Sequence, residues 1–152
     1  MAVLGFSCKV EKGRTATHGV LAEGSGDQVQ LTEVFSHLGD RQEDLAQQLC
    51  SLMWSADSAL RDLNVEAAVV RSMDWDGRQR VTDQTRQRFA AEGVLLAVIR
   101  ARGIQRVEPL SGREIGARCG SSKEAVAARA AVLVRSRSVE AGMAALAALE
   151  DG

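Results

Sequence analysis

The opening run Ala2-Val3-Leu4-Gly5-Phe6-Ser7 is apolar at almost every position, which predicts a strand buried on both faces. Glu11-Lys12-Gly13-Arg14 breaks it with a turn. From Thr15 to Glu23 the chain alternates, with Thr15, Thr17, Gly19 and Leu21 on one face and Ala16, His18, Val20 and Ala22 on the other, so a second strand is expected. Gly24-Ser25-Gly26-Asp27 reads as a hairpin turn. Gln28 to Ser36 alternates again, Val29, Leu31, Glu33 and Phe35 opposing Gln28, Gln30, Thr32, Val34 and Ser36. Three antiparallel strands follow from this stretch.

The period then changes to that of helices. Asp40-Arg41-Gln42-Glu43 has the form of a capping box, and Leu45, Leu49, Leu52, Met53, Ala56, Leu60 and Leu63 follow along one stripe. Ala67-Ala68-Val69-Val70, lying between two helical stretches, predicts a buried parallel strand over 66–72. Met73 to Val81 is a polar loop. A second helix is expected from Thr82 to Arg102, burying Phe89, Leu95, Leu96 and Ile99, with Gly103 as its stop. Ile104 to Leu110 gives a fifth strand, which Pro109 places near an edge. Ser111-Gly112-Arg113-Glu114 and Ser121-Ser122-Lys123-Glu124 are further capping boxes, and Ser138 opens an Ala-rich helix. The expected architecture is α/β: one domain over 1–152, with a mixed five-stranded sheet flanked by helices.

Composition narrows the classes. At 152 residues and 45% hydrophobic content the chain can bury one proper core. Its apolar stretches, Val94 to Ile99 among them, are far short of the roughly 20 residues that cross a bilayer, and no signal peptide is visible, so no membrane association is expected. Cys8, Cys50 and Cys119 are odd in number and scattered without CxxC spacing, which argues against disulfides and zinc and for a reducing cytoplasm. The net charge of −1 conceals an asymmetry: residues 1–70 carry 5 Lys/Arg against 10 Asp/Glu, residues 71–137 carry 14 against 7. All but one of the fourteen are arginine, suited to bidentate phosphate contacts. The block is either a set of solvated helix faces or an anion-facing surface for nucleic acid.

The element order, together with three segments, resembles the RuvC-type Holliday-junction resolvases, a branch of the ribonuclease-H-like superfamily. The segments are Phe89-Ala90-Ala91-Glu92-Gly93-Val94-Leu95-Leu96-Ala97 leading to Arg102-Gly103-Ile104, then Glu108-Pro109-Leu110-Ser111-Gly112-Arg113-Glu114-Ile115, then Gly120-Ser121-Ser122-Lys123-Glu124-Ala125-Val126. The resemblance implies a mixed ribonuclease-H-like sheet and, in the family, DNA cleavage by carboxylates that hold two divalent ions. The positions matching those acids are Ser7 on strand one, Arg71 after strand four, and Arg137 and Glu140 near the final helix. Ser7 is a poor ligand, and Arg71 puts a fixed positive charge where a metal should sit. Asp74 and Asp76 are possible substitutes, or simply loop carboxylates making an Asx-turn around Trp75. His18 and His37 lack the Cys or Asp partners that catalysis would need.

The resemblance also places Trp75 where the family carries an aromatic that wedges into the junction, matches Lys123 to a lysine near the DNA backbone, and puts Arg113 beside it. Arg78, Arg80, Arg86 and Arg88 are expected to continue the same edge. The leading expectation is a RuvC-like protein with a degenerate metal site, inactive as a nuclease, binding nucleic acid (branched DNA first) or serving assembly, with no cofactor and as a homodimer. One alternative is an active Mg²⁺-dependent resolvase or structure-selective endonuclease. Another is a protein-interaction subunit that binds no nucleic acid.

Overall fold

The computed structural model describes residues 1–150. Five strands, β1 (Ala2–Glu11), β2 (Arg14–Glu23), β3 (Gln30–Leu38), β4 (Ala67–Arg71) and β5 (Arg106–Leu110), form one sheet in the order β3-β2-β1-β4-β5. The β1–β2 and β2–β3 pairs are antiparallel, and β1–β4 and β4–β5 are parallel. The fully apolar opening therefore occupies the centre of the sheet, where both faces are covered, and Pro109 lies on the edge strand. The helices are α1 (Leu45–Leu60), α2 (Asp83–Ala101), α3 (Gly112–Arg118), α4 (Lys123–Leu133) and α5 (Val139–Leu149). This is the mixed sheet of the ribonuclease-H-like fold, with α1 and α2 on one face and α5, flanked by α3 and α4, on the other.

The two faces carry separate cores. Leu4, Phe6 and Cys8 from β1 join Val70, Leu52, Leu95 and Ile99 on the α1/α2 side. Val3, Val20 and Val69 join α5 on the other, where Ala141 to Ala148 are all buried. A helix buried on every side needs no amphipathic stripe, and the small alanines let its backbone lie close to the sheet. The contact is closest at Gly5. A Cβ built there would sit 2.1 Å from Ala141 O and 2.2 Å from Ala145 N, so β1 and α5 touch backbone to backbone.

Four local expectations are corrected. Asp40 does not open α1: its Oδ1 accepts from Gln42 N–H as a local turn, and the helix starts at Leu45 with a reciprocal box between Asp44 and Gln47. Both acids have a polar partner three residues on, but the box closes at Asp44, and beyond it Gln48, Leu52, Ala56 and Leu60 are buried, whereas Leu45 is exposed. Asp44→Ala is expected to lower stability by about 1 kcal/mol and Asp40→Ala by less, as read from urea midpoints at constant slope. The β2–β3 connection is a longer loop with a 3-10 turn at Gly26–Gln28, so β3 starts two residues later than its alternation suggests. Ser122, not Ser121, caps α4, its hydroxyl accepting from Ala125 N–H. Phe89 is 40 % exposed rather than buried, because it packs edge-on against Trp75 outside the core. Gly103 does end α2, with φ of 86° just past the cap.

Candidate functional site

Ser7 and Arg71 are register partners on β1 and β4, so their side chains share the sheet face that α5 covers. Both are 2 % exposed. The alternation of β4 settles this placement: Ala67, Val69 and Arg71 face α5, while Ala68 and Val70 face α1 and α2. His18 flanks Ser7 on the other side as its partner on β2.

Arg71 is among the largest fully buried side chains of the protein, and its guanidinium is held on several sides. Nη2 donates to Asp74 Oδ2 at 2.8 Å, and Nη1 donates to the Ser72 carbonyl. Nε lies 2.9 Å from Glu140 Oε2 as an ion pair, without the alignment of a hydrogen bond. Glu140 stands in the first turn of α5, where the helix dipole also favours a carboxylate. Asp74 Oδ2 also accepts from Lys123 Nζ, and Asp74 Oδ1 accepts from Gly112 N–H at 2.8 Å. Partial burial opposes ionisation of Asp74, but the bonds from Lys123, Arg71 and Gly112 N–H outweigh it and hold the carboxyl well below the usual carboxylate range. Two cations and two carboxylates thus close a network joining the end of β4, the loop after it, and the starts of α3, α4 and α5.

Sharing Asp74 and Lys123 with this network is an open cleft of about 670 Å³, lined also by Trp75, Asp76, Arg113, Ser122 and Glu124. Trp75 is 37 % exposed and is steadied by Phe89, ring centroids 5.9 Å apart and planes at 75°. Trp75, Arg113 and Lys123, expected on one surface, do meet here. Arg78 and Arg80 are exposed in the loop that carries Trp75 but do not line the cleft. Arg86 is exposed and pairs with Asp83 at 3.4 Å. Arg88 turns away into a smaller pocket with Lys9, Met73 and Thr85, and its Nε donates to the buried Glu92 at 3.0 Å. The cleft lining holds Arg113 and Lys123 against Asp74, Asp76 and Glu124, so it is of mixed sign rather than uniformly basic.

Asp76 is an Asx-turn residue, its Oδ1 accepting from Arg78 N–H at 2.8 Å. Arg137 is exposed and lines a separate pocket with His18, Glu33 and Ser138. Glu92 escaped sequence reasoning, since on the α2 stripe it reads as a solvated position. Burial pushes the pKa of its carboxyl above the usual value, with Arg88 and the Met73 N–H opposing. Among the described residues no group of three or more His, Cys, Asp or Glu is arranged to hold a metal ion, and no helix is long and apolar enough to cross a membrane.

Sequence comparison with family models and with curated proteins returns no match. Comparison with solved structures does. The RuvC structure of Thermus thermophilus aligns with a TM-score of 0.72 at 16% identity, over 99% of this chain and 94% of that chain. T. thermophilus RuvC in complex with a Holliday junction substrate aligns with the same TM-score and identity, over 97% of this chain and 92% of that chain. The whole described chain therefore has the fold seen in RuvC.

Proposed function

We propose that this chain, built on the RuvC fold, is a nucleic-acid-binding module whose metal site is closed and which does not cut its ligand. The observation that carries the reading is the buried Arg71 guanidinium between Asp74 and Glu140. A hard divalent ion needs several oxygen ligands with negative charge left over for it. Here Ser7 offers only a hydroxyl, and both carboxylates are already paired with a fixed cation that cannot be deprotonated. The donor set does not fit Mg²⁺.

Binding is assigned to the cleft. Trp75 presents a ring face large enough for an unpaired base, and such stacking contributes about 1–3 kcal/mol per base. Arg113, exposed on α3 and lining the cleft, supplies a phosphate contact, and Arg78 and Arg80, exposed in the Trp75 loop outside the lining, supply further ones. Branched DNA is the favoured ligand: it offers unpaired bases at its crossover, and a solved relative in fold was captured on a Holliday junction. Because the cleft is of mixed sign, few phosphates are contacted.

Gel shifts with four-way, duplex and single-stranded probes, in Mg²⁺ and in chelator, test the reading. The expected result is branched or single-stranded DNA bound equally in both buffers and left uncut, with a log-affinity against log-salt slope of only about −1 to −3. Trp75→Ala should weaken branched and single-stranded probes by about tenfold and duplex much less. Cleavage in Mg²⁺ would establish the nuclease reading instead. Absence of any binding would leave a protein-interaction role, with the arginines as solvated faces.

A further inference from the structure

On the face that α5 covers, a row of register partners crosses the sheet: Ser36 on β3, His18 on β2, Ser7 on β1 and Arg71 on β4. The Trp75 cleft opens at the Arg71 end of this row. At the other end a separate pocket of about 240 Å³ is lined by His18, Glu33, Ser36, Arg137 and Ser138 among others. His18 stands two strand spacings from Arg71, roughly 10 Å. A break in strand alternation builds the pocket. Strict alternation would give Glu33 the same face as Phe35, yet the register steps from Gly19↔Phe35 to Val20↔Glu33 and leaves Val34 as an extra residue. This bulge sends Phe35 into the α1/α2 core and turns Glu33 to the opposite face, into the pocket with His18. Bulges re-aim side chains in this way beside functional sites.

Two polar atoms of the pocket residues, His18 Nδ1 and Glu33 Oε1, are buried without a hydrogen-bond partner. Buried polar atoms are ordinarily paired, so two orphans in one pocket point to a partner from outside the chain. Neither atom holds a bond, so turning its terminal torsion toward the pocket breaks none. The Ser138 hydroxyl first, and the Arg135 and Arg137 charges after it, outweigh burial and hold the Glu33 carboxyl below its usual value, so it is ionised and only accepts. Burial, reinforced by Arg137, lowers the pKa of His18, whose neutral ring can donate or accept. Arg137, exposed at the pocket, only donates. The ligand these groups call for carries an amino donor beside acceptors.

We propose that this pocket takes the Watson–Crick edge of one unpaired cytosine, its amino group donating to Glu33 and its ring N3 and O2 accepting from Arg137. A carboxylate accepting from the cytosine amino group is an established base contact. Thymine would bring both carbonyl oxygens against the carboxylate on either side of its N3–H. The volume lies below the roughly 300–1,000 Å³ of sites for drug-sized ligands and suits one small ring. The inference rests on the nucleic-acid reading and deepens it: a single strand stacked on Trp75 runs on across the sheet and is read for sequence at His18 and Glu33.

The probes are deoxycytidine and thymidine, titrated into the isotope-labelled full chain and followed by nuclear magnetic resonance. Deoxycytidine should shift the amides of His18, Glu33 and Ser36 saturably, and thymidine should bind at least about tenfold more weakly. Glu33→Ala and Arg137→Ala should each abolish the preference; Arg137 is exposed, so its loss is not a folding defect. Labelled oligo-dC should likewise bind about tenfold more tightly than oligo-dT of equal length. Trp75→Ala should weaken both strands and keep that ratio, whereas Glu33→Ala should remove it. If neither strand binds but deoxycytidine still shifts His18, the base pocket stands and the cleft reading falls. Nucleosides that leave the pocket residues unmoved, or a preference that survives Glu33→Ala, would overturn the proposal and leave the orphaned atoms to solvent alone.

Discussion

Gly5→Ala is expected to destabilise the protein by about 3–5 kcal/mol, more than any other single methyl group added to the sheet. The new Cβ would lie 2.1 Å from Ala141 O, 2.2 Å from Ala145 N and 2.8 Å from Ala144 C. All three are backbone atoms, so no side chain can rotate away; α5 as a whole must lift off β1. Lifting it loosens a core that includes Val3, Val20, Val69 and Leu146. Urea unfolding would register the loss as a lowered midpoint. Gly93, exposed on α2 with nothing within 4 Å of a built Cβ, is the control: Gly93→Ala should leave stability unchanged or raise it by up to about 1 kcal/mol. Equal midpoints for the two variants would mean that the β1–α5 approach is not as close as described.

Asp74→Ala is expected to cost about 2–3 kcal/mol. Breaking a buried ion pair by removing one partner costs about 3–5 kcal/mol, because the other charge stays buried. Here Arg71 is the buried member and keeps Glu140, while Asp74 is 45 % exposed, so the loss falls below that range. The sign of the pH dependence follows from the lowered pKa of Asp74. Its contribution is complete above the unfolded carboxylate value, near about pH 4, and is lost as pH falls through the lower folded value. The native chain should therefore resist acid further than Asp74→Ala, the two curves running parallel above about pH 5 and converging in strong acid. A second readout is local: Trp75 follows Asp74 directly, so its fluorescence, read in a Trp54→Phe background, should become more solvent-like. Parallel curves down to the lowest pH, with unchanged fluorescence, would show that Asp74 does not hold the loop.

Much of this arrangement was legible in the sequence. Alternation over 15–36 and the switch to helical spacing after Gly39 predict the element order, because burial on one face imposes the period. The uniform apolarity of β1 and β4 predicts their central, covered positions. What sequence could not reveal depends on distance across the fold. Gly5 reads as one more small residue in a buried strand until α5 is laid against it. Asp40 and Asp44 offer the same capping chemistry, one turn apart on the same face, and only the fold shows that Asp44 caps the helix while Asp40 makes a local turn. At the site, the facing of Ser7 and Arg71 was predictable from the resemblance. The four-membered network was not, since it needs the loop after β4 to fold back so that Asp74 reaches Lys123, 49 positions away. Arg88 was expected beside Trp75, but helical phase turns it to Glu92 four residues on.

The placement of α5 also governs how the chain can be made. It follows every other element in sequence, yet it covers β1, the first. Synthesis at about 5–20 residues per second takes roughly 8–30 s for a chain of this length, and for nearly all of that time one side of the sheet has no cover. Val3, Val20 and Val69 stay open to other chains until Ala141 to Ala148 emerge. The antiparallel strands can pair early because their contacts are local, whereas docking of the last helix closes a loop of almost the whole chain and comes late. The nascent protein therefore passes through a one-sided sheet, and a ribosome that stalls before residue 139 leaves an adhesive, aggregation-prone fragment for chaperones to shield.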